Sequence, residues 1–497
     1  MHTRRFFIKT ALMGATAAGW PGGRRDSAEA APTPLPKTLR GDHFETCHAV
    51  RDGVTLPAVR TTVSHDVVIV GGGPSGLCAA YHLRDRDLLL LEKEDVLGGN
   101  CILDEWEGVR MSTGGAFYTR SEKELFSFFE EIGAGGRKVV GGDSLVIDGV
   151  PYLDFFGDGS ARLPFRQRVQ DDFRRSRDEM LKLLKTKPAD QLETVAFSEL
   201  LRPFDPLVTK FWDSFGPSNW GGVASETSGS IGCEAYKWAG GADDPRWTFP
   251  GGMAGGARAL TDWLTPKLGS RLVTGAAVYR IEREAKGPGA VVHYMKDGAP
   301  VAARARVVIV ATPKFYASHV IPDLPADQRA AMRANRYAPY PVFNVCLESP
   351  GPEPAYDNWF LDAPFTDFIP AEWILHAGHG AKDRKTVLTV YHPLREARRA
   401  ELLVDTRVLD MADDVAAALE RHFPGTLDKI SEIRVFRRGH PMYISAPGRK
   451  STTERAARPF GPILFANTDS LPGVSSFDGA FTAAKRASAE ARAQLSA

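Results

Sequence analysis

The chain has 497 residues, of which 43% are apolar and 25% carry a charge, a composition typical of a soluble globular enzyme and unlike that of disordered or fibrous proteins. Its length exceeds the size at which one hydrophobic core keeps growing, so we predict two domains. Positive and negative side chains nearly cancel, leaving a net charge of +1, and this balance predicts no nucleic-acid partner.

Residues 1–30 have the features of a targeting segment rather than of a folded domain. Arg4 and Arg5 stand together before two phenylalanines, a weakly apolar run follows, and Ala28-Glu29-Ala30 offers a small-x-small cleavage site. This pattern resembles a twin-arginine export signal, which implies the twin-arginine export machinery as a partner and a periplasmic or secreted protein. The alternative is a disordered basic amino terminus. Residues 31–62 are predicted to be a linker, and no run of about eighteen apolar residues follows that would predict a transmembrane segment.

The cysteines and histidines form no recognisable framework. Five cysteines, at positions 47, 78, 101, 233 and 346, are odd in number and include no C-x-x-C pair. Twelve histidines lack the H-E-x-x-H spacing. We therefore predict neither a bound metal nor a disulfide scaffold.

A strand, a glycine-rich turn and a helix follow one another within residues 65–94. An apolar, β-branched run leads into Gly71, Gly73 and Gly76, which have the spacing G-x-G-x-x-G, and a second apolar run ends at Glu92. In such a unit the glycines allow a sharp turn, a close approach to a pyrophosphate and close packing of helix on strand. The acidic residue accepts hydrogen bonds from a ribose. The unit predicts a dinucleotide site and leaves NAD and FAD open.

Further glycine pairs extend this pattern along the chain. Gly98-Gly99-Asn100 follow Glu92, and Gly114-Gly115 lie within the segment GVRMSTGGAFYT. Together with later segments, they resemble the flavin-containing amine oxidase, protoporphyrinogen oxidase and phytoene desaturase superfamily. The later segments are residues 246–264, 272–282, 305–313 and 461–491.

The resemblance implies FAD as the cofactor and a set of residues that would bind it. In the family pattern, the backbone of Val278 meets the adenine, and a helix that starts near Gly479 directs its amino terminus at the flavin. No cysteine or histidine in the motifs is suitably placed for a covalent link, so we expect non-covalent FAD; Cys101 is the one candidate for such a link, and its alternative is packing near the phosphates. The residues assigned to FAD are Gly71, Gly73, Pro74, Ser75, Gly76, Glu92, Lys93, Gly99, Asn100, Thr113, Gly114, Gly115, Val278, Asp469, Phe477, Asp478, Gly479 and Ala480.

Three positions depart from the family pattern. Asn100 stands where an arginine usually follows the glycine pair, and an asparagine there is similar to UDP-galactopyranose mutases, flavin enzymes that perform a redox-neutral ring contraction. Asn467 replaces an expected glycine. Val342 stands where amine oxidases carry a lysine that holds a water near flavin N5 and supports reaction with oxygen. This last difference weakens oxygen as the electron acceptor and leaves oxygen and a quinone both open.

The segments between the motifs are predicted to form the substrate-binding half. Helical periodicity predicts helices over residues 121–135, with Ser121 as the cap, and over 165–186. In the segment FRRGHPMYISAPG, His440 and Tyr443 are candidates for substrate contact or acid–base work, because family members bring aromatic side chains from this region to the flavin. Structural hydrogen bonds are the alternative for both. No Ser-His-Asp or paired-carboxylate arrangement is recognisable, which disfavours hydrolysis.

We therefore predict an α/β protein whose Rossmann-type FAD-binding domain is assembled from discontinuous segments, with an inserted α+β substrate-binding domain. The predicted function is FAD-dependent oxidation of a small organic substrate, an amine or a cyclic or polyene CH–CH unit, by hydride transfer to flavin N5. A flavin mutase or isomerase and a non-catalytic flavin-binding protein stay open as alternatives. The FAD-binding domain is assigned residues 63–120, 246–318 and 436–497, and the substrate-binding domain residues 121–245 and 319–435.

Overall fold

The computed structural model describes residues 34–41, 43–119, 123–241, 245–376 and 384–497. Leu35–Ala497 form one compact unit. The other unit, Met1–Pro34, lies outside the described residues except for Pro34, and with it the predicted export signal. No helix among the described residues combines the length and apolar character needed to cross a membrane.

The strands and α-helices are numbered in chain order. The strands of the described residues are β1 (Lys37–Arg40), β2 (Val63–Val70), β3 (Leu88–Leu91), β4 (Leu103–Trp106), β5 (Val109–Ser112), β6 (Tyr118–Thr119), β7 (Arg137–Lys138), β8 (Asp143–Ile147), β9 (Val150–Leu153), β10 (Arg246–Thr248), β11 (Leu272–Val273), β12 (Ala276–Arg283), β13 (Ala290–Lys296), β14 (Ala299–Val310), β15 (Tyr337–Ala338), β16 (Val342–Leu347), β17 (Asp357–Phe360), β18 (Asp367–Pro370), β19 (Thr386–Tyr391), β20 (Ile430–Phe436), β21 (Met442–Tyr443) and β22 (Ile463–Phe465). The helices are α1 (Glu45–Arg51), α2 (Pro74–His82), α3 (Lys123–Glu131), α4 (Gln167–Thr186), α5 (Ala189–Glu193), α6 (Phe197–Leu201), α7 (Pro206–Trp220), α8 (Gly229–Ala235), α9 (Met253–Leu268), α10 (Lys314–Val320), α11 (Ala326–Arg333), α12 (Trp373–His376), α13 (Asp405–His422), α14 (Lys450–Ala456) and α15 (Phe477–Ser496).

A seven-stranded sheet forms the half of the described structure that carries the glycine-rich turn. Its order is β11-β3-β2-β14-β13-β12, and β22 pairs with the last part of β14. The pairs β11–β3, β3–β2, β2–β14 and β14–β22 are parallel, whereas β12, β13 and the first part of β14 form an antiparallel meander. The apolar runs of β2 and β3 are buried, as expected for parallel strands covered on both faces.

Helices cover both faces of this sheet. On one face, α2, α3, α9 and α15 pack against alternate residues of β2 and β14, including Val67 and Ile309. On the other face, α10, α11 and α14 share a core with Val68 and Val310. This alternation is the period of two that a strand imposes on its side chains.

An eight-stranded, mostly antiparallel sheet forms the second half, in the order β1-β20-β16-β19-β18-β17-β8-β9. Helix α13 packs on one of its faces through Val408, Ala412, Val415 and Leu419. Helices α4 and α6–α8 enclose an aromatic core that includes Trp212.

The structure confirms the predicted α/β fold class, in which discontinuous segments build one sheet. Helix α4 (Gln167–Thr186) lies within the predicted 165–186 helix, with Phe173 and Met180 buried. Helix α3 begins at Lys123, so the predicted cap Ser121 lies outside the described residues. The predicted linker of residues 31–62 is wrong in part, because it contains β1 and α1. Strand β1 is only four residues long, and its parallel pairing with the distant strand β20 is not visible in the sequence.

Candidate active site

A cavity of about 490 Å³ lies at the carboxyl ends of the parallel strands β2, β3 and β14. Val70, Leu91 and Ala311, at or just beyond those strand ends, line it, and residues of the eight-stranded sheet line its other part. Ligands of open α/β sheets bind in the crevice outside the carboxyl ends of the strands. The cavity is therefore positioned to hold a dinucleotide beside a substrate.

The glycine turn between β2 and α2 brings backbone close to backbone. Gly71 has a φ of +105°, and a side chain on Gly76 would overlap the carbonyl oxygen of Gly71. A Cβ on Gly99 would come within 2.8 Å of the Cα of Gly73. These contacts leave the backbone of two loops bare beside the amino terminus of α2, as a bound diphosphate requires.

Glu92 holds this turn with both oxygens of its carboxylate. Oε2 accepts a hydrogen bond from the Gly72 N–H at 2.6 Å, and Oε1 accepts one from the Glu94 N–H at 2.9 Å. Burial raises the pKa of Glu92, and the two backbone hydrogen bonds oppose that rise. Each oxygen keeps a second lone pair, so the carboxylate can still accept from ribose hydroxyls. The neighbouring Lys93 pairs with Glu94.

The second glycine pair packs against the first. A side chain on Gly114 would overlap the carbonyl oxygen of Asn100, and one on Gly115 would meet Cys101 Sγ at 3.2 Å. Burial raises the pKa of the Cys101 thiol to about 11. Since the thiolate is the reactive form, this position favours packing over covalent chemistry.

The amino terminus of α15 faces the cavity from the carboxy-terminal segment. Ser476 caps it by accepting a hydrogen bond from the Gly479 N–H at 3.2 Å. Asn467 also lines the cavity, and its φ of −70° is open to any residue, so the expected glycine is not required here.

Most of the residues that the sequence assigns to the cofactor come together at this cavity. Those that line it are Gly71, Gly73, Pro74, Ser75, Glu92, Lys93, Gly99, Asn100, Thr113, Gly114, Gly115, Val278, Phe477 and Ala480. Gly76, Asp469, Asp478 and Gly479 lie outside the lining. The carboxylate of Asp469 is bonded instead by Lys314 and Tyr337.

The two catalytic candidates both line the cavity, with different surroundings. The ring of His440 stacks at 4.1 Å from that of Phe315. The hydroxyl of Tyr443 donates to the Gly473 carbonyl, and burial raises its pKa. Tyr443 thus has the structural hydrogen bond that was the alternative interpretation for it.

Two buried aspartates in the cavity wall are not among the site residues that the sequence analysis predicted. Asp357 on β17 and Asp367 on β18 line the cavity, and each is 2% exposed. Their carboxyl groups are close enough that each shifts the pKa of the other. Tyr340 and Tyr391, whose ring centroids are 6.1 Å apart, line the same part of the cavity.

One arginine lies behind this acidic group. Arg246 donates to Asp143 Oδ1 at 2.5 Å, and its Nη1 is 3.7 Å from Oδ2 of Asp357. Burial raises the pKa of Asp367 to about 7, with the charge of Asp143 acting in the same direction, and hydrogen bonds from Thr366 and Ser218 oppose the rise. Burial and the charge of Asp367 also raise the pKa of Asp357. Arg246 thus lies close to Asp143 and farther from Asp357, and burial disfavours the charged forms of both Asp357 and Asp367.

The cavity also has features that fit a flavin dinucleotide. Backbone without side chains surrounds the turn at α2, a carboxylate lies at the end of β3, and the amino terminus of a 20-residue helix opens on the cavity. Among the described residues, no group of His, Cys, Asp and Glu side chains is arranged to hold a metal ion.

Known proteins share this sequence pattern and this fold. The family model for flavin containing amine oxidoreductase matches residues 74–492. Oxidoreductase PigB of a Serratia species is 23% identical over 526 residues, which cover 87% of this chain and 75% of that protein.

Solved structures extend the likeness to the fold. A wild-type putrescine oxidase bound to putrescine has a TM-score of 0.67 at 21% identity, covering 87% of this chain and 99% of that one. Cyclohexylamine oxidase from Brevibacterium oxydans has a TM-score of 0.66 at 18% identity, covering 87% of this chain and 100% of that one.

Proposed function

The chain belongs to the family of flavin-containing amine oxidoreductases, and from that premise we propose that it uses non-covalent FAD to oxidise a small amine. Membership makes it a flavin-dependent oxidoreductase. The identities of the flavin as FAD, of the substrate as an amine and of the electron acceptor are proposals, and the residues that line the cavity support them.

FAD is favoured because the cavity begins at a complete dinucleotide-binding unit. Glu92 would accept from the ribose, Gly73 and Gly99 would flank the diphosphate, and Val278 would meet the adenine. The amino terminus of α15 would face the flavin end, where its N–H groups favour negative charge. Cys101 has a raised pKa and packs against Gly115, which supports a non-covalent cofactor.

The observation that carries the choice of an amine is the acidic wall formed by Asp357 and Asp367. A cyclic or polyene CH–CH substrate would leave both carboxyl groups buried against hydrocarbon, which is costly. An ammonium ion would supply the positive charge that one arginine, shared with Asp143, provides only in part. An amine is therefore the better match.

The redox chemistry would belong to the cofactor, since a bound flavin would supply the hydride acceptor for oxidation of the carbon next to the amine nitrogen. The chain's own residues bind, orient and exclude water. Asp357 and Asp367 would hold the ammonium end, and Tyr340, Tyr391 and Trp359 would surround the carbon skeleton. His440 also lines the cavity, and we propose that its imidazole holds or releases a proton there.

The electron acceptor is proposed to be a quinone or a similar small oxidant in preference to oxygen. Val342 is 1% exposed and lines the cavity where amine oxidases of the resemblance carry a lysine. Lys93 lies in the lining beside Glu92, and Lys314 is fully buried against Asp469 outside it. A valine offers no charge to favour the reduction of oxygen.

Export through the twin-arginine pathway to the periplasm or the exterior is proposed from Arg4 and Arg5, the apolar run that follows them and the small-x-small site at Ala28-Glu29-Ala30. Because that pathway carries folded, cofactor-loaded proteins, it is compatible with a flavin bound before export.

Anaerobic mixing of the purified, flavin-loaded protein with a panel of substrates tests the proposal. The panel contains monoamines, diamines, amino acids and polyenes, and flavin absorbance is followed. We expect bleaching by an amine and none by a polyene. Bleaching by a polyene alone would overturn the choice of substrate, and a colourless protein that FAD cannot reconstitute would overturn the flavin assignment.

A further inference from the structure

Arg438 lies just beyond β20 and reaches into the cavity beside the two glycine loops. Its Nη1 donates to the Thr113 carbonyl at 2.5 Å, and its Nη2 donates to the Gly99 carbonyl and to the Thr113 hydroxyl, each at 3.0 Å. These bonds join segments that are 339 and 325 positions apart in the chain. The guanidinium is thus held in one orientation at the floor of the cavity.

This orientation places the positive charge beside the loops that carry Gly99 and Thr113. Gly99, whose carbonyl Arg438 contacts, packs against Gly73, the residue that precedes the first turn of the nine-residue helix α2. Helix N–H groups and an arginine therefore converge on the same backbone turn. Phosphate is the ligand that such a combination favours, because the N–H groups point at it and the guanidinium neutralises it.

The adjacent side chain cannot supply that charge. Asn100 is neutral, and its Nδ2 donates to the Pro441 carbonyl at 3.0 Å. Arg438 and Asn100 together fasten residues 438–441 onto the loop that carries Gly99. The same segment presents His440 to the cavity.

The positive charge of Arg438 also acts on Cys101, another residue of the cavity lining. Burial raises the pKa of the Cys101 thiol, and the charge of Arg438 is the largest effect that opposes the rise. Among the described residues, the cavity lining also contains Lys93 and Arg51. Lys93 forms an ion pair with Glu94, and Arg51 forms one with Asp52.

We propose that Arg438 is the cation that binds the diphosphate of the cofactor, and that it does so from the same segment, residues 438–441, that brings His440 to the cavity lining. The inference rests on the proposed function in assuming that the cavity binds FAD. It adds a phosphate-binding residue from a distant segment of the chain.

Binding of FAD and of riboflavin to the flavin-free protein, followed by flavin fluorescence, tests the proposal. Riboflavin lacks phosphate, so Arg438→Gln should weaken FAD binding by about 10- to 100-fold and leave riboflavin binding within about twofold, since a charged hydrogen bond is lost only with FAD. Arg434→Gln is the matched control. Arg434 also donates to a backbone carbonyl, that of Glu105, but does not line the cavity. It should leave both ligands unaffected.

The double variant Arg438→Gln/Asn100→Arg moves the charge to the neighbouring loop and should restore most of the FAD affinity. Equal weakening of FAD and riboflavin, or no weakening of either, would overturn the inference and leave the proposed function intact. A wild-type protein that binds no FAD would overturn both.

If Arg438→Gln does not fold, the salt dependence of FAD and riboflavin binding to the wild-type protein tests the proposal instead. Screening of a phosphate–arginine contact predicts that FAD affinity falls from low to high ionic strength while riboflavin affinity does not. Parallel behaviour of the two ligands would count against Arg438. Arg438→Lys, which keeps the charge, should retain the salt dependence.

Discussion

Lys314 and Asp469 form an ion pair inside the protein, with Nζ 2.8 Å from Oδ1 and neither side chain exposed. The Lys314 backbone N–H donates to Oδ2 of the same carboxylate at 2.7 Å, and the Tyr337 hydroxyl donates to Oδ2 at 2.5 Å. Burial by itself raises the pKa of Asp469, but the charge of Lys314 and these hydrogen bonds hold it below its ordinary value. The pair joins the end of β14 to the segment before α15.

Removing one partner of this pair should destabilise the fold strongly. Lys314→Met leaves the Asp469 carboxylate buried without its cation, and we expect the free energy of unfolding to fall by about 3–5 kcal/mol. Urea unfolding of the flavin-free protein measures it. The double variant Lys314→Met/Asp469→Leu removes both charges and should lose less stability than the single variant. If the double variant is the less stable of the two, the cost lies in packing and not in the unpaired charge.

Glu92 is expected to matter for the cofactor more than for the fold. Glu92→Ala removes both acceptors that hold the Gly72 turn and the carboxylate proposed to meet the ribose, so FAD should bind about 10- to 100-fold more weakly. Flavin occupancy after gel filtration and a fluorescence titration measure the loss. Glu284→Gln, at an exposed pair with Arg304 on the meander, is the control. Full occupancy in Glu92→Ala would contradict the role of Glu92.

The glycine turn could be predicted from the sequence because its parts are contiguous: a strand, G-x-G-x-x-G, a helix and Glu92 follow a fixed spacing. Asp357 and Asp367 could not, since the antiparallel pairing of β17 and β18 brings them together and neither segment carries a spacing rule. The position of Arg438 in the cavity could not be predicted for the same reason, because its hydrogen-bond partners are more than 300 positions away in the chain. Asp469 is the opposite case: the motif predicted that it binds the cofactor, but its carboxylate is hydrogen-bonded by Lys314.

The stability of the flavin-free protein should fall as the pH rises from about 4 to 7, partly through Asp367. Its folded pKa is about 7, above the unfolded value of about 3.9. An acid whose pKa is raised by folding stabilises the fold below its unfolded pKa, and this contribution is lost as the pH rises through the folded pKa.

Asp367→Asn isolates that contribution. The variant should lose this part of the pH dependence and be more stable than the wild-type protein at pH 8, while binding a cationic amine more weakly. Chemical unfolding at pH 4 and pH 8, with amine titrations at each pH, measures both. Asp143→Asn, at the carboxylate paired with Arg246 at 2.5 Å, should instead destabilise the fold. Identical pH profiles for wild type and Asp367→Asn would contradict the assignment.

Export can be tested in the full-length chain. Arg4→Lys/Arg5→Lys should leave the protein in the cytoplasm, because the proposed signal depends on the arginine pair and not on charge alone. Cell fractionation with immunoblotting detects the change. Arg24→Lys/Arg25→Lys, a second arginine pair beyond the apolar run, is the matched control and should be exported. Export of both variants at the wild-type level would contradict a twin-arginine signal.

Introducing the missing lysine tests the choice of electron acceptor. Val342→Lys would place an ammonium group in the cavity wall, where burial lowers its pKa and the remaining charge can stabilise the reduction of oxygen. We expect reoxidation of the substrate-reduced protein in air to become at least about tenfold faster, as followed by stopped-flow absorbance, with reoxidation by a soluble quinone little changed. Val342→Met adds similar length without charge and should leave the rate in air near that of the wild-type protein. Rapid reoxidation of the wild-type protein in air would mean that Val342 does not limit oxygen chemistry, and the acceptor would then be oxygen itself.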